Sequence, residues 1–316
     1  MLAVLFVVII NFSLKNHMHY QYFICDVFTD VMFSGNPLAV VPYASGLSDE
    51  QMQNIAREFN FSETTFVLPA QQGHTRQVRI FTPTREIPFA GHPNIGTAFV
   101  LAEIGQFGGF DGPMEVVFEE IAGSVAIAID RNDHGYTRCE LKAPGAFWIG
   151  QTVSADVVAA ILNLSVTDIV TDTHEPQEAS VGLEFLCVEI ASLQALQQAK
   201  VSVDRLSALV CSGVAPDIHL YWRGCNDVDL RVRMFAPLDG VPEDAATGSA
   251  NCALIALLSY YDNASSNTYS WCISQGTEMG RPSELFGRTK KQNGSVTDVW
   301  IAGDCVLIGE GTLFLS

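Results

Sequence analysis

Positive charge is scarce in this sequence. It has 17 Lys and Arg residues against 35 Asp and Glu residues, which gives a formal net charge of −18. A field of that sign repels nucleic acids and anionic lipid surfaces, so neither a nucleic acid nor a membrane is expected as a partner. A small anionic substrate would need a local positive site, and the N-terminus of a helix can provide one without Lys or Arg.

The motifs of metal, nucleotide and redox sites are also missing. None of the eight cysteines forms a C-x-x-C pair or has zinc-finger spacing. No Gly-x-Gly-x-x-Gly segment follows a strand, and there is no Walker loop. We therefore expect no cofactor and no metal. Cysteines inside apolar runs, such as Cys187 in Phe185–Val188, indicate buried thiols in a reducing compartment, which favours the cytoplasm.

A long apolar run is absent as well. Residues 1–10 are uniformly apolar, but a membrane span needs about 20 such residues. The apolar region of a signal peptide is an alternative, although no Lys or Arg precedes the run and no A-x-A-like cleavage site follows it. We expect translation to begin at Met18, just before a strand over Tyr20–Phe28, so that residues 1–17 are not part of the fold.

What the sequence does contain is an internal repeat. Val78–Pro83 (VRIFTP) reappears 154 positions later as Val232–Pro237 (VRMFAP). After a short loop each copy enters a helix rich in small residues, over Gly91–Ala98 in the first half and Asp244–Ala250 in the second. Because both the order and the following helix agree, duplication is the better explanation.

Length and composition agree with two closely packed lobes. The 316 residues match two domains of about 150 residues, and no linker-like segment separates them. We expect an N-terminal lobe over residues 18–135 and a C-terminal lobe over residues 136–304. A last strand, at about 305–316, is expected to return to the first lobe.

The helix signals place a glutamate at a junction. Ser48–Gln51 has capping-box form, and the apolar residues Met52, Ile55, Ala56 and Phe59 follow at amphipathic spacing. A strand is expected over Thr65–Leu68, and Glu63 lies between the two elements. In contrast, Ala250–Leu258 is apolar on nearly every side, which indicates a buried central helix wrapped by strands.

Two buried helix starts at equivalent places would face each other across a cleft. Pro93 suits the first turn of one helix, and Thr247 or Ser249 can cap the other. Backbone N–H groups at such starts form a site for a carboxylate. Glu63, His92, Asp244 and Ser249 lie around it in the sequence.

The titratable residues each have a functional and a structural interpretation. Phe59, Phe61 and Phe66 flank Glu63, and desolvation there would raise the pKa of its carboxyl toward the range of proton transfer. The alternative is that Glu63 ends a helix or pairs with an arginine. For His92 the helix dipole disfavours imidazolium, whereas nearby carboxylates favour it, so the sequence leaves its charge open. Asp244 could be a capping acid.

Five groups of motifs carry a family resemblance, and they run in order from about residue 20 to the C-terminus. They are Asp26–Thr29 with Gly35–Val41, Asn60–Val67, Phe81–Pro83 with Glu86 and Ala90–Pro93, Glu243–Ala250, and Gln275–Gly276 with Gly280–Ser283. Together they resemble the phenazine biosynthesis-like (PhzF-like) isomerase family. Asn60–Val67 is similar to the motif around the catalytic glutamate of that family.

The resemblance implies a diaminopimelate-epimerase-like α+β fold with two duplicated lobes. Each lobe would be a curled, mostly antiparallel sheet or barrel around a central helix, and the protein would be a homodimer. The resemblance also implies chemistry without a metal or an organic cofactor. In the phenazine enzyme the substrate is trans-2,3-dihydro-3-hydroxyanthranilate, and a glutamate takes a proton from one ring carbon and returns it to another.

The same resemblance assigns roles to single residues. Carried over, Glu63 is the acid/base shuttle, and Asp244 and His92 would hold the amino and hydroxyl groups of such a substrate. The expected catalytic residues are Glu63, Asp244 and His92.

Ser249 and the backbone of Gly91 and Gly248 would hold the substrate carboxylate, and Thr247 belongs to the same binding segment. The family more often has proline where this chain has Ala245. Because proline fixes φ, we expect this loop to be less rigid here.

Three other functions were weighed against the resemblance. Racemases on this fold use two opposed thiols, one at each helix start, but Ala90–His92 and Asp244–Ala246 contain no cysteine, and Cys252 lies inside the helix. A serine hydrolase is disfavoured because Gly248–Ala250 lacks the Gly-x-Ser-x-Gly elbow. A catalytically idle binding module is the third alternative, which retention of all the expected site residues disfavours.

Overall fold

The computed structural model of the protein describes residues 18–109, 112–132, 134–224 and 227–315. The expectations for residues 1–17 lie outside the described residues. Within these ranges strands and helices are mixed, which confirms the α+β class. The helices are α1 (Asp49–Phe59), α2 (Gly91–Glu103), α3 (Ala155–Leu162), α4 (Leu193–Gln198), α5 (Val203–Val210) and α6 (Gly248–Tyr261).

The eighteen strands of the described ranges form one hydrogen-bonded sheet. Those of the first half are β1 (Met18–Val27), β2 (Asn36–Val41), β3 (Glu63–Leu68), β4 (Arg76–Phe81), β5 (Glu86–Ile87), β6 (Met114–Glu120), β7 (Gly123–Arg131), β8 (Thr137–Lys142) and β9 (Trp148–Thr152). Those of the second half are β10 (Ile169–Val170), β11 (Gln177–Ser180), β12 (Glu184–Ile190), β13 (Ile218–Trp222), β14 (Leu230–Ala236), β15 (Val241–Asp244), β16 (Asn267–Gln275), β17 (Ser283–Gln292) and β18 (Ser295–Leu315).

Strand pairing repeats between the two halves. β2 and β3 are parallel, β3 and β4 antiparallel, and β4 and β6 parallel. The strands β12, β13, β14 and β16 repeat this order of pairs. The register also matches, because Thr64 lies opposite Phe81 and Ile218 lies opposite Phe235. The predicted duplication is therefore confirmed at the level of backbone hydrogen bonds.

The last strand connects the ends of the chain. β18 pairs successively with β17, β8 and β1, and its segment Cys305–Leu315 is the part that lies against β1. The expected boundary between residues 135 and 136 falls in the turn between β7 and β8, which pair with each other. The division into residues 18–135 and 136–304 stays a prediction.

Both central helices are buried. The residues of α2 from Gly91 to Ala102 are all buried, and α6 is buried over Ala250–Ser259. Side chains of both helices belong to one hydrophobic core that also contains residues from β1, β7 and β17. A helix that is apolar all round has no face for solvent, so the sheet must enclose it.

α1 follows its sequence signals closely. Ser48 and Gln51 form the expected capping box, and Met52, Ile55 and Ala56 are buried against the sheet. The helix ends at Asn60, whose φ of 54° gives the left-handed turn that a C-cap requires. Glu63 then begins β3 two residues before the strand that the sequence predicts.

The cysteines of the described residues are all free. Cys25, Cys139, Cys187, Cys252 and Cys305 are buried as expected. The expectation was wrong for Cys211, which is exposed. No helix in the described ranges is both long enough and apolar enough to cross a membrane.

Gly96 offers a test of the packing around α2. A Cβ atom there would lie 2.6 Å from Leu38 Cδ2 and 2.7 Å from Val27 Cγ2, both fully buried. We expect Gly96→Ala to lower the free energy of unfolding by about 1–2 kcal/mol, because overpacking outweighs the helix propensity that alanine gains. Urea unfolding measures the change.

Gly109→Ala is the matched control, since an added Cβ at Gly109 meets nothing within 4 Å. It should change stability by less than about 0.5 kcal/mol. A Gly96→Ala protein as stable as the control would show that the helix and the sheet are not in close contact.

Candidate active site

The starts of the two central helices approach each other closely. A Cβ atom added to Gly91 would lie 3.6 Å from Gly248 Cα and 3.6 Å from the backbone nitrogen of Ser249. Among the described residues no side chain caps either helix, because Ala90 cannot and the Thr247 hydroxyl donates to Asp244 instead. Thr247 does occupy the expected N-cap position. Two sets of uncapped backbone N–H groups thus lie on either side of this contact.

A cleft opens onto these helix starts. Gly91, Gly248 and Ser249 lie at its base. The rest of its wall is apolar and consists of Phe89, Leu141, Ala143, Pro144, Val181, Gly182, Leu183, Cys252 and Ile301. Neither Lys nor Arg lines the cleft, so positive potential there comes from the helix N-termini. The cleft therefore offers a carboxylate site with an apolar wall.

His92 directly follows Gly91 in the first turn of α2, and its side chain meets that of Glu63. Neither Glu63 nor His92 is among the described residues that line the cleft. The Oε2 atom of Glu63 lies 3.5 Å from Nε2 of His92, and their side chains are 17% and 6% exposed. Within the described residues neither of these two buried atoms has a hydrogen-bond partner. Buried polar atoms are rarely left unpartnered, and the exceptions include sites that bind a ligand. The alternative that Glu63 pairs with an arginine is wrong for this structure.

Burial decides the charge of His92. It lowers the pKa of the imidazole to about 3, so the ring is neutral at physiological pH. The contact with Glu63 is consequently a polar contact and not an ion pair. This resolves the question that the sequence leaves open, because desolvation outweighs the attraction of nearby carboxylates.

The Glu63 carboxyl has a raised pKa, as the flanking phenylalanines predict. Burial is the largest cause and the charge of Asp244 is the second, while a hydrogen bond from Ser62 acts in the opposite direction. The pKa of Glu63 is raised to about 8. A carboxyl near this value can both accept and return a proton at neutral pH.

Asp244 is held by side chains on both sides. The Asn36 amide donates to its Oδ1 at 2.9 Å, and the Thr247 hydroxyl donates to its Oδ2 at 2.5 Å. Burial raises the pKa of Asp244 to about 6, although these two hydrogen bonds favour the ionised form. Asp244 ends β15 and is not the N-cap of α6, so the capping alternative is wrong.

The loop between β15 and α6 is fixed although it lacks the proline. The Gln275 amide donates to the carbonyl of Asp244 and to the Thr247 hydroxyl, both at 3.0 Å. Asn36 donates to the carbonyl of Ala246, and Ser283 donates to that of Ala245. Hydrogen bonds thus hold the backbone of this loop, and the expectation that it is less rigid than a loop with proline stays a prediction.

Asn36 and Gln275 are two supporting residues to which the sequence assigns no role. Asn36 also accepts a hydrogen bond from Ser62, next to Glu63. It therefore connects the segment of Glu63 with Asp244. Both residues lie inside the motifs Gly35–Val41 and Gln275–Gly276, which is the signal that could have identified them.

The helix starts contain no thiol that could act in racemisation. Cys252 lines the cleft, but burial raises the pKa of its thiol well above the usual range. Among the described residues no three His, Cys, Asp or Glu side chains form a group that could hold a metal ion.

Similarity to known proteins agrees with this geometry. The model of the phenazine biosynthesis-like protein family, PhzC-PhzF, matches residues 25–311. The trans-2,3-dihydro-3-hydroxyanthranilate isomerase of Pseudomonas aeruginosa is 34% identical over 302 residues, which cover 94% of this chain and 100% of that protein. An uncharacterized isomerase of Mesorhizobium japonicum is 34% identical over 303 residues, which cover 93% of this chain and 99% of that protein.

The fold is also similar to that of a solved relative. The Bacillus anthracis phenazine biosynthesis protein of the PhzF family superimposes with a TM-score of 0.84 at 25% identity, covering 94% of this chain and 99% of that chain. The fold, the family model and the named relatives all agree with the motifs that surround Glu63. The chain belongs to the phenazine biosynthesis-like (PhzC-PhzF) family and is an isomerase.

Proposed function

We propose that the protein moves a proton between two carbon atoms of a small cyclic amino or hydroxy carboxylic acid of the trans-2,3-dihydro-3-hydroxyanthranilate type. The observation that carries this proposal is the protonatable Glu63, whose unpartnered Oε2 lies 3.5 Å from Nε2 of His92 in the first turn of α2. The substrate type is that of the Pseudomonas aeruginosa relative. The partner is thus a small anionic molecule, and neither a nucleic acid nor a membrane is involved.

The substrate carboxylate is bound at the contact of the two helices. The starts of α2 and α6 have uncapped backbone N–H groups, and Ser249, which lines the cleft, offers a hydroxyl donor. Thr247 supports the site through its hydrogen bond to Asp244. The apolar wall of the cleft receives the hydrocarbon part of the ring.

Glu63 carries the proton between the two carbons. Its ionised carboxylate takes a proton from one ring carbon, and the electron pair of that C–H bond moves into the adjacent π system. The protonated Glu63 then gives the same proton to another carbon of that system, so that no atom is gained or lost. This acid/base step requires neither a metal nor an organic cofactor.

Asp244 and His92 orient the ring during this transfer. Asp244 is largely ionised at neutral pH and suits a substrate ammonium group. The neutral imidazole of His92 suits a hydroxyl group, because it has both a donor and an acceptor nitrogen. We also propose a homodimer in the cytoplasm, which family resemblance and the free cysteines of the described residues support.

Replacement of Glu63 tests the proton transfer directly. We expect wild-type protein to convert trans-2,3-dihydro-3-hydroxyanthranilate, and in D₂O deuterium should appear on the receiving carbon only to the extent that the proton on Glu63 exchanges with solvent before it is returned. Glu63→Gln should lower this rate at least about 100-fold, because the amide cannot accept the proton. Nuclear magnetic resonance and ultraviolet absorbance follow the product.

Glu58→Gln is the matched control, because Glu58 is exposed on α1. It should retain the wild-type rate. Equal rates for the Glu63 variant and the control would remove Glu63 from the mechanism. Binding of the substrate without turnover by the wild type would instead support the idle binding module.

The pH dependence of kcat/KM tests the coupling between Glu63 and Asp244. In the direction that begins with C–H cleavage, kcat/KM should rise with pH to a plateau above about pH 8, because only ionised Glu63 accepts a proton. Asp244→Asn removes the second cause of the raised pKa, so the midpoint should move to lower pH. It should stay above 4.5 because burial remains.

The magnitude of kcat/KM will fall in this variant as well, so the midpoint is the quantity to compare. The Glu58→Gln protein should keep the wild-type midpoint. An unchanged midpoint in Asp244→Asn would mean that the two carboxyls are not electrostatically coupled.

A further inference from the structure

Glu120 has no role in the proposed mechanism. Its carboxyl group is buried without a hydrogen-bond partner among the described residues. Both of its carboxyl oxygens are inaccessible, and neither has a hydrogen-bond partner within the described residues. Asn94 Oδ1, in the first turns of α2, is also buried and unpartnered. The Asn94 side chain interacts with the Glu120 carboxyl, but an ionised Glu120 has no donor to offer Asn94 Oδ1. A proton on Glu120 would supply the missing donor.

The duplication identifies the residue that occupies this position in the other half. In the first half β4 and β6 are parallel, with Arg76 opposite Phe118. In the second half β14 and β16 are parallel, with Leu230 opposite Ile273.

The two pairings are equivalent. Arg76 and Leu230 lie five residues before the matching Phe81 and Phe235. The residues two positions beyond Phe118 and Ile273 are then Glu120 and Gln275, and each ends its strand.

The helices next to these residues match in the same way. The Asn94 amide donates to the carbonyl of Ala90, the N-cap of α2, at 3.0 Å. The Asn251 amide donates to the carbonyl of Thr247, the N-cap of α6, at 3.0 Å. Glu120 is therefore placed against α2 as Gln275 is placed against α6.

Gln275 shows what this position does when its hydrogen bonds are complete. Its Oε1 accepts from the Thr247 backbone and from Asn251, and its Nε2 donates to the carbonyl of Asp244 and to the Thr247 hydroxyl. One side chain thus ties the end of a strand to the loop and first turn of the helix. A neutral carboxylic acid has the same shape as this amide, with an O–H donor in place of the NH₂ group.

The surroundings of Glu120 favour the neutral form. Burial raises the pKa of its carboxyl to about 8, and only the Asn94 side chain acts in the opposite direction. The charged groups on the adjacent elements have partners of their own. Glu119 of the same strand accepts backbone N–H groups of the loop before β4, Glu86 of β5 pairs with Arg79, and His92 of α2 faces Glu63.

We infer that Glu120 is a positioning residue that holds the start of α2 as a neutral carboxylic acid, in the role that Gln275 has at the start of α6. The turn after Glu120 is also bonded to the segment before α2, because Ala122 donates to the carbonyl of Pro88 at 3.1 Å. The segment that leads into Gly91 and His92 is thus bonded to the turn that follows Glu120 at the end of β6. The importance of Glu120 for turnover rests on the proposed function, but the protonation of Glu120 does not.

The sign of the stability change follows from proton linkage. The unfolded chain releases the Glu120 proton near its ordinary pKa of 4.5, whereas the folded chain keeps it to about 8. Between these values the folded state binds more protons, so wild-type stability falls as the pH rises. Glu120→Gln removes this loss and keeps the hydrogen bonds.

The melting temperature between pH 5 and pH 9 tests the inference. Relative to wild type, we expect Glu120→Gln to gain on the order of 5 °C as the pH rises from 5 to 8, and to change little above that. The Gln275→Glu protein should show the reverse, with a loss that grows over the same interval. Glu120→Ala should be less stable than Glu120→Gln at every pH, because it leaves Asn94 unpartnered.

Hydrogen exchange locates the effect. At pH 9, the amides of Ile95 to Thr97, which bond to the first turn of α2, should exchange several-fold faster in wild type than in Glu120→Gln. At pH 6 the exchange rates of these amides should be the same in the two proteins, and the amides in the first turns of α6 should exchange at equal rates at both pH values.

A difference in melting temperature that does not vary with pH would overturn the inference, and so would equal exchange rates at pH 9. Both measurements are independent of turnover, so failure of the proposed function would leave them interpretable.

Discussion

The contact of Gly91 with Gly248 is the constraint on which the rest of the structure depends. The two starts lie so close that a Cβ atom on Gly91 would already be in van der Waals contact with Gly248 Cα, at 3.6 Å. The contact also brings two positive dipole ends together, which repel each other unless an anion lies between them. Enclosure of both helices by one sheet and a shared core holds them in place against this repulsion. The proposed anion site would thus be built from backbone, in a protein whose net charge of −18 repels anions.

Much of the fold and part of the site could be predicted from the sequence. The repeat of Val78–Pro83 and the apolar run of α6 gave the duplicated halves and a buried helix, because periodicity and repetition are local signals. The burial of Glu63 followed from the aromatic residues around it. The partners of Asp244 could not be predicted in the same way, because Asn36 lies 208 residues away and a hydrogen bond between side chains leaves no periodic trace. The charge of His92 depends on how deeply its side chain is buried, which a short stretch of sequence does not show.

The two halves keep one backbone frame but differ in their acids. Register places Asp217 at the position that corresponds to Glu63, directly before the residue opposite the matching phenylalanine. Burial raises the pKa of both carboxyls, and in each case the second cause is another carboxylate, Asp244 for Glu63 and Asp239 for Asp217. Glu63 contacts His92 at the start of α2. Asp217 instead lies near the charge of Asp239, in the turn after β14. The duplication therefore supplied two similar frames, and substitution within them gave one the acid/base group of the proposed mechanism.

The pairing of β1 with β18 has a consequence for biosynthesis. Met18 lies opposite Leu315, so the strand that pairs with β1 is made 315 − 18 = 297 residues after it. At about 5–20 residues per second, β1 waits roughly 15–60 s before its partner emerges. During that time this edge of β1 is unpaired, and such edges are where nascent chains associate with one another. Closure of the sheet is thus a late event, and the nascent chain depends on protection of β1 until β18 has emerged.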